Sequence, residues 1–167
     1  MNYLEKMLKP KIEQLSTKTV VGKSLRMSLA NNRTFELWQS FMPLRKTIKD
    51  SPSPHLYSIQ VYDNDTYYEN FNPQTEFTKW AAIETVNNDS LPENLETLKL
   101  DGGLYAIFHY EGSSTDPSIF QYIFKTWLPQ SSYELDERPH FEILGNKYKN
   151  EDPNSEEQIC IPIKLKK

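Results

Sequence analysis

Apolar residues recur along this chain either at every second position or at three- and four-residue spacing, and the changes of period divide it into elements. Leu104–Tyr110 is an apolar strand run behind a Gly102-Gly103 turn. Asp116 and Pro117 open a helix at Ser118, an acidic N-cap followed by proline in the first turn. Ile119, Phe120, Ile123 and Trp127 then recur at helical spacing until Pro129, which is expected to stop the helix. Arg138-Pro139 begins an extended segment in which Glu142 stands between Phe141 and Ile143, and Ile159–Ile163 is the last apolar strand. A carboxylate in the middle of an apolar strand is the least expected placement in the sequence.

The first half reads similarly. Met1–Pro10 is a short charged lead-in, and Lys11–Leu29 a strand or bent strand pair with Gly22 at a bulge. Thr34 is a plausible N-cap for a helix ending near Lys49, with Phe35, Trp38, Phe41 and Met42 as its apolar stripe and Pro43 as a kink or early stop. Leu56–Tyr62 alternates as a strand, Phe77–Val86 is a second strand, and Asn87–Glu96 a loop.

These pieces repeat. Pro54-His55-Leu56-Tyr57 is echoed 85 residues later by Pro139-His140-Phe141-Glu142, and the same offset carries Phe35 to Phe120, Trp38 to Ile123, Met42 to Trp127 and Val21 to Ala106. The expected fold is α+β: two strand-helix-strand-strand units, about 11–86 and 98–163, related by a pseudo-twofold. Their antiparallel strands carry both helices on one face and leave a central groove on the opposite face. In that arrangement Tyr57 and Glu142 are pseudo-symmetric partners facing into the groove. Residues 11–167 are read as one domain behind the lead-in.

Composition narrows the function. Aromatics make up 13% of the chain, including ten Tyr, a supply suited to lining ligand sites. A net charge of −4, with no long basic run and no helix-turn-helix pattern, argues against nucleic-acid binding. The single cysteine, Cys160, excludes an internal disulfide and paired-Cys metal sites, and reads as a buried thiol. His55, His109 and His140 show no ligand spacing, so no metal is expected; no phosphate loop or nucleophile elbow is present, so no cofactor is implied. Asp101-Gly102-Gly103 reads as a hairpin turn. No apolar run is long enough to span a bilayer and the start lacks the apolar core of a signal peptide, so a cytoplasmic location with no membrane partner is expected.

The runs GLYAIFHYEG, YIFKTWLPQSSYEL and RPHFEILGN, with the closing CIPIK and with VVGKSLRMSL, ELWQSF and KWAAIETV in the first half, resemble the GyrI-like small-molecule-binding family. That bacterial family includes the effector-binding domains of AraC-type and MerR-type regulators. The resemblance covers nearly the whole chain from about Lys11. It implies a duplicated fold with an aromatic groove in which a buried glutamate, matched here by Glu142, attracts flat, apolar, often cationic compounds. The regulator role is not carried over.

Physical chemistry supports the match, since a carboxylate between aromatic walls is poorly solvated and a bound cation compensates it. Strand alternation puts Tyr105 and His109 on the face shared with Glu142; Trp80 is another candidate wall, and Trp38 and Trp127 either cap the groove or belong to the core. A non-catalytic binder of lipophilic small molecules is one expected function. A hydrolase opening cyclopropane rings, with Glu142 as base to a water and Tyr105 or Tyr57 as hydrogen-bond donor, is another. Inhibition of a protein partner such as gyrase is a third.

Overall fold

The computed structural model describes residues 7–49, 51–64, 66–86 and 91–167. Most of the lead-in and the first part of the loop expected at Asn87–Glu96 therefore lie outside the described residues. Nine strands form within the described residues: β1 (Lys11–Leu15), β2 (Lys18–Met27), β3 (Leu56–Val61), β4 (Phe77–Thr85), β5 (Glu96–Leu100), β6 (Gly103–Glu111), β7 (Tyr133–Leu135), β8 (His140–Leu144) and β9 (Glu156–Leu165). Helix α1 spans Thr34–Arg45. A second helical stretch runs through α2 (Ser118–Tyr122), a π turn (Ile123–Trp127) and α3 (Leu128–Gln130).

Every pairing is antiparallel, and the strand order is β1-β6-β9-β8-β3-β4-β2-β5, with β7 pairing the end of β9 at Ile163–Leu165, beyond the stretch that pairs β8. The order is a palindrome of two halves. The pseudo-twofold falls between β3 and β8 and exchanges β4 with β9, β2 with β6 and β5 with β1. The short strand β5 follows β1 at the same 85-residue offset as the sequence echo, although Glu96 and its neighbours were expected to be loop and turn.

This topology forces the sheet to curl. β1 and β5 stand at opposite ends of the strand order, yet only Ser16-Thr17 separates β1 from β2, and only Asp101-Gly102 separates β5 from β6. Two residues span no more than about 7–10 Å, so the two edges meet where these connections cross. There the Gly102 N–H donates to Thr17 Oγ1 at 2.9 Å. The Asp101-Gly102-Gly103 segment is thus a crossing and not the expected hairpin, because β5 and β6 do not pair.

Curling fills the inner face. Val20, Tyr57, Ile59, Trp80, Ala82, Leu100, Tyr105, Phe141 and Cys160 pack there as one buried cluster. The groove expected on the face away from the helices is therefore occupied by core. On the outer face α1 covers β2 and β4 through Leu37 and Phe41, while α2 and the π turn cover β6 and β9 through Ile119 and Ile123. The stripe expected on α1 holds in part: Phe41 is buried as expected, but Phe35 is 79% exposed and Met42 is also exposed, because the sheet takes Leu37 beside Phe41. Pro129 does not stop the second helical stretch. The widened turn before it, where the Leu128 N–H donates to Ile123 O, carries the chain on to Gln130. Between the helices the middle strands β3 and β8 are left without helical cover.

Candidate functional site

That gap is polar, and alternation explains how. On β8 the residues facing the helix side are His140, Glu142 and Leu144; on β3 they are Leu56, Ser58 and Gln60. Ser58 pairs with Glu142 and Gln60 with His140. On the flanking strands Lys79 pairs with Gln60, while Ile159 pairs with Glu142 and brings Glu157 alongside it on the same face. A row of polar side chains thus crosses four strands.

Glu142 lies on the floor of this gap, partly open to solvent yet enclosed by protein. Burial raises its pKa, while the Lys79 charge and a hydrogen bond from Glu157 act the other way. Glu157 is buried, and burial together with the Glu142 charge pushes its pKa up to about 9. One of its oxygens, Oε2, has no hydrogen-bond partner among the described residues. Burial pushes the Lys79 ammonium down, against the pull of both carboxyls, and its Nζ donates to Thr34 Oγ1 on α1 at 3.4 Å.

Aromatic side chains roof the floor. Tyr62 follows β3, and the short 3₁₀ turn Tyr67–Asn70 returns Tyr67 onto it, with ring centroids 3.7 Å apart and planes within 1°. Tyr67 also meets His140, Phe124, Tyr68 and Phe71 edge-on, and its hydroxyl lies 3.4 Å from His140 Nε2. Burial, with the Glu142 charge second, raises the Tyr62 phenol; burial also raises that of Tyr67 and holds His140 neutral, with a pKa of about 3. Phe124 is presented by the π turn, a wide helical turn of the kind that often occurs where a helix borders a site.

Of the residues singled out from sequence, only Glu142 stands in this gap. Tyr57 and Tyr105 lie on the inner face: the Tyr57 hydroxyl accepts from Lys18 Nζ at 3.2 Å, and the Tyr105 hydroxyl donates to Pro139 O at 3.3 Å. Trp80 is in the same inner core. Trp127 packs edge-on against Phe108 beneath α2, and Trp38 lies half-buried one helical turn after Thr34, on the flank of α1 nearest Lys79. The expected equivalence of Tyr57 with Glu142 is off by one residue: the twofold carries Tyr57 to Phe141 and Ser58 to Glu142. A slip of one moves a side chain to the other face.

His109 is exposed at the rim, 3.0 Å from Glu156 and 3.5 Å from Glu111. The three form a possible metal-ligand group that spacing did not reveal, because Glu156 arrives from the neighbouring strand. Lys79, Glu157, Tyr62, Tyr67 and Phe124 were missed altogether. A signal existed for two of them: in FTKWAAI and EEQICIPI, Lys79 and Glu157 fall in the same alternate set as Phe77, Ala81 and Ile83, or Ile159 and Ile161.

A curled, duplicated sheet with an acid-floored, aromatic-roofed gap between two helices defines a small-molecule-binding domain. Residues 8–164 match the GyrI-like small molecule binding domain, and the chain belongs to that family. Similar solved structures include SAV2435 bound to tetraphenylphosphonium, 14% identical, with a TM-score of 0.62 over 93% of this chain and 94% of that one. The EcmrR C-terminal domain is 11% identical, with a TM-score of 0.66 over 95% and 98% of the two chains. A hydrolase from Listeria innocua is 10% identical, with a TM-score of 0.62 over 93% and 92%. At these identities the likeness is one of fold. Comparison with curated proteins returned no match. Among the described residues no helix is long and apolar enough to cross a membrane.

Proposed function

We propose that the gap between the helices binds flat, lipophilic organic cations, with Glu142 holding the charge and Tyr62 serving as the stacking platform. The observation that carries this reading is the Tyr62–Tyr67 stack. A flat aromatic ring already rests on Tyr62, beside a poorly solvated carboxylate. A flat cation in the place of Tyr67 gains the same stacking, a cation–π contact of about 0.5–2 kcal/mol and the attraction of Glu142. Tyr67 belongs to the loop between β3 and β4, so its withdrawal opens the site without breaking the sheet. The tetraphenylphosphonium bound to SAV2435 shares the lipophilic aromatic groups and the permanent positive charge of such ligands, though its four rings are set tetrahedrally about phosphorus.

Titration with tetraphenylphosphonium or a planar cationic dye tests the reading. Micromolar binding is expected, weakened by about 1–2 kcal/mol in Glu142→Gln, the scale of one desolvated charge contact. Equal affinity in that variant for every cation tried would remove Glu142 from the site.

A second reading is hydrolysis, favoured by two adjacent carboxyls of which burial and the Glu142 charge keep Glu157 protonated, an acid placed beside a second carboxyl able to act as base. Cyclopropane ring opening, with Glu142 activating water, remains the reaction proposed. The donor to the leaving group becomes Glu157, since Tyr57 and Tyr105 lie on the other face of the sheet. Mass spectrometry of a cyclopropane electrophile incubated with the protein decides it: no product above the buffer rate leaves only the binder.

A further inference from the structure

Ionised carboxylates accept hydrogen bonds and donate none, so two carboxyl groups joined by a hydrogen bond hold a proton between them. Glu142 and Glu157 stand close enough on neighbouring strands to share a proton in this way. The β8–β9 register fixes the pair: with Glu142 opposite Ile159 and Ile143 opposite Gln158, Glu157 is the diagonal neighbour of Glu142 on one face. Glu157 is only 6% exposed, and its unpartnered Oε2 is a buried acceptor left over beside the shared proton. Burial and the adjacent Glu142 charge assign that proton to Glu157. Lys79, from β4, is the third charge.

Two acids and one base meet here, and a poorly solvated gap favours their neutral sum: one carboxylate, one carboxylic acid and the Lys79 ammonium. The other titratable groups facing the site leave the sum unchanged. Tyr62 behind β3, Tyr67 in the 3₁₀ turn, Tyr148 in the loop after β8 and Tyr110, opposite Glu157 on β6, are phenols pushed upward by burial, and His140 is held neutral. Glu151, next to Tyr148, is exposed. The helices contribute Thr34 and Phe124, which carry no charge.

An uncompensated charge in a poorly solvated gap is costly. A monovalent cation added to this neutral set leaves an excess of +1 unless something positive departs. We propose that the site takes up a monovalent organic cation in exchange for one proton. The O–H bond of the Glu157 carboxyl breaks, the proton passes to solvent, and Glu142, Glu157, Lys79 and the ligand again sum to zero. The exchange rests on the cation-binding reading above and adds to it a proton stoichiometry and a pH dependence. Affinity gains about tenfold per pH unit while Glu157 is protonated in the free protein, and levels off at alkaline pH.

Calorimetric titration of the whole protein with tetraphenylphosphonium, whose charge does not titrate, tests this. Two buffers of different ionisation heat at pH 7.5 count the protons. About one proton released per ligand is expected, together with a Kd about tenfold lower at pH 7.5 than at pH 6.5. Glu157→Gln is expected to bind more weakly, release no proton and show no pH dependence over that interval. Wild-type binding without proton release overturns the exchange and leaves the cation site standing. One proton still released by Glu157→Gln also overturns it, because the proton then comes from Lys79. No binding at all, of tetraphenylphosphonium or of a planar dye with a quaternary nitrogen, overturns the cation reading itself, and the exchange with it. If Glu157→Gln fails to fold, Lys79→Arg takes its place: its guanidinium does not titrate in this range, so one proton still released leaves Glu157 as the source, and none released overturns the exchange.

Discussion

Lys79 and Glu157 occupy equivalent places in the two halves of the sheet. The twofold carries Ser58 to Glu142 and Gln60 to Leu144, and the strand partners of Gln60 and Leu144 are Lys79 and, one step beyond the paired residues, Glu157. Duplication has thus set a base and an acid symmetrically about one carboxylate.

Lys79 is therefore a resident competitor for any cationic ligand. In Lys79→Met the site carries −1 from Glu142 with Glu157 protonated, and one monovalent cation balances it with no proton released. Tighter binding of tetraphenylphosphonium is expected, by about 1–2 kcal/mol or roughly five- to thirtyfold. Weaker binding in the calorimeter would show that Lys79 assists the ligand.

Tyr67 sets a second competition. Its ring packs on Tyr62 and against His140 and Phe124, so Tyr67→Ala is expected to destabilise the free protein by about 2–4 kcal/mol. The same change removes the ring that a flat ligand displaces. Ligand affinity is expected to rise, and the lost thermal stability to return at saturating ligand. Thermal unfolding with and without a planar cation measures both. A variant whose affinity falls along with its stability would make Tyr67 part of the bound wall.

Much of the fold was legible in the sequence because period and punctuation agree in most elements. β3, β4, β6 and both helices lie within a few residues of their expected ends, and the 85-residue echo marks a true duplication. The inner and outer faces were not legible. Whether a face is open depends on how far the sheet curls, and that follows from β1 and β5 pairing across the halves, which no local pattern reveals. Glu142 stood out as a charge between apolar neighbours. Its partner set did not, because Lys79 and Glu157 come from strands distant in sequence and Tyr67 lies in a loop without periodicity. The one-residue slip that paired Tyr57 with Glu142 came from anchoring the repeat on Pro-His, where the second half is one residue shorter between its first strand and β8.

The crossing of the two halves makes Gly102 a position of contact more than of conformation. A Cβ there would lie 2.5 Å from Leu15 O and 2.7 Å from Thr17 N, all backbone. Gly102→Ala is expected to cost at least about 3 kcal/mol, because the crossing strands have to separate. Thr17→Ala, which removes only the acceptor for the Gly102 N–H, is expected to cost about 1 kcal/mol. Urea denaturation of the two variants makes the comparison, and equal losses would refute the steric account.

The site also shapes stability against pH, through two groups that act in opposite directions. Glu157 has a folded pKa of about 9, raised from an ordinary 4.5 by burial and by Glu142. The folded chain holds a proton that the unfolded chain releases, so this contribution is complete below about pH 4.5 and is lost as pH rises toward 9. His140 has a folded pKa of about 3, lowered from 6.5 by burial. Its contribution is complete above about pH 6.5 and is lost as pH falls toward 3, because unfolding exposes a ring that takes up a proton. Between pH 4.5 and 6.5 the two slopes oppose each other, each limited to about 1.4 kcal/mol per pH unit. Stability is therefore expected to be nearly level across that interval and to fall on both sides. Glu157→Gln removes the alkaline slope, so it is expected to raise the unfolding temperature relative to wild type at pH 8 by several degrees more than at pH 5. His140→Phe is expected to lessen the acid slope and leave the alkaline one unchanged. Thermal unfolding of the three proteins from pH 4 to pH 8 tests the assignment. An alkaline slope unchanged in Glu157→Gln would mean that the proton released on unfolding does not reside on Glu157.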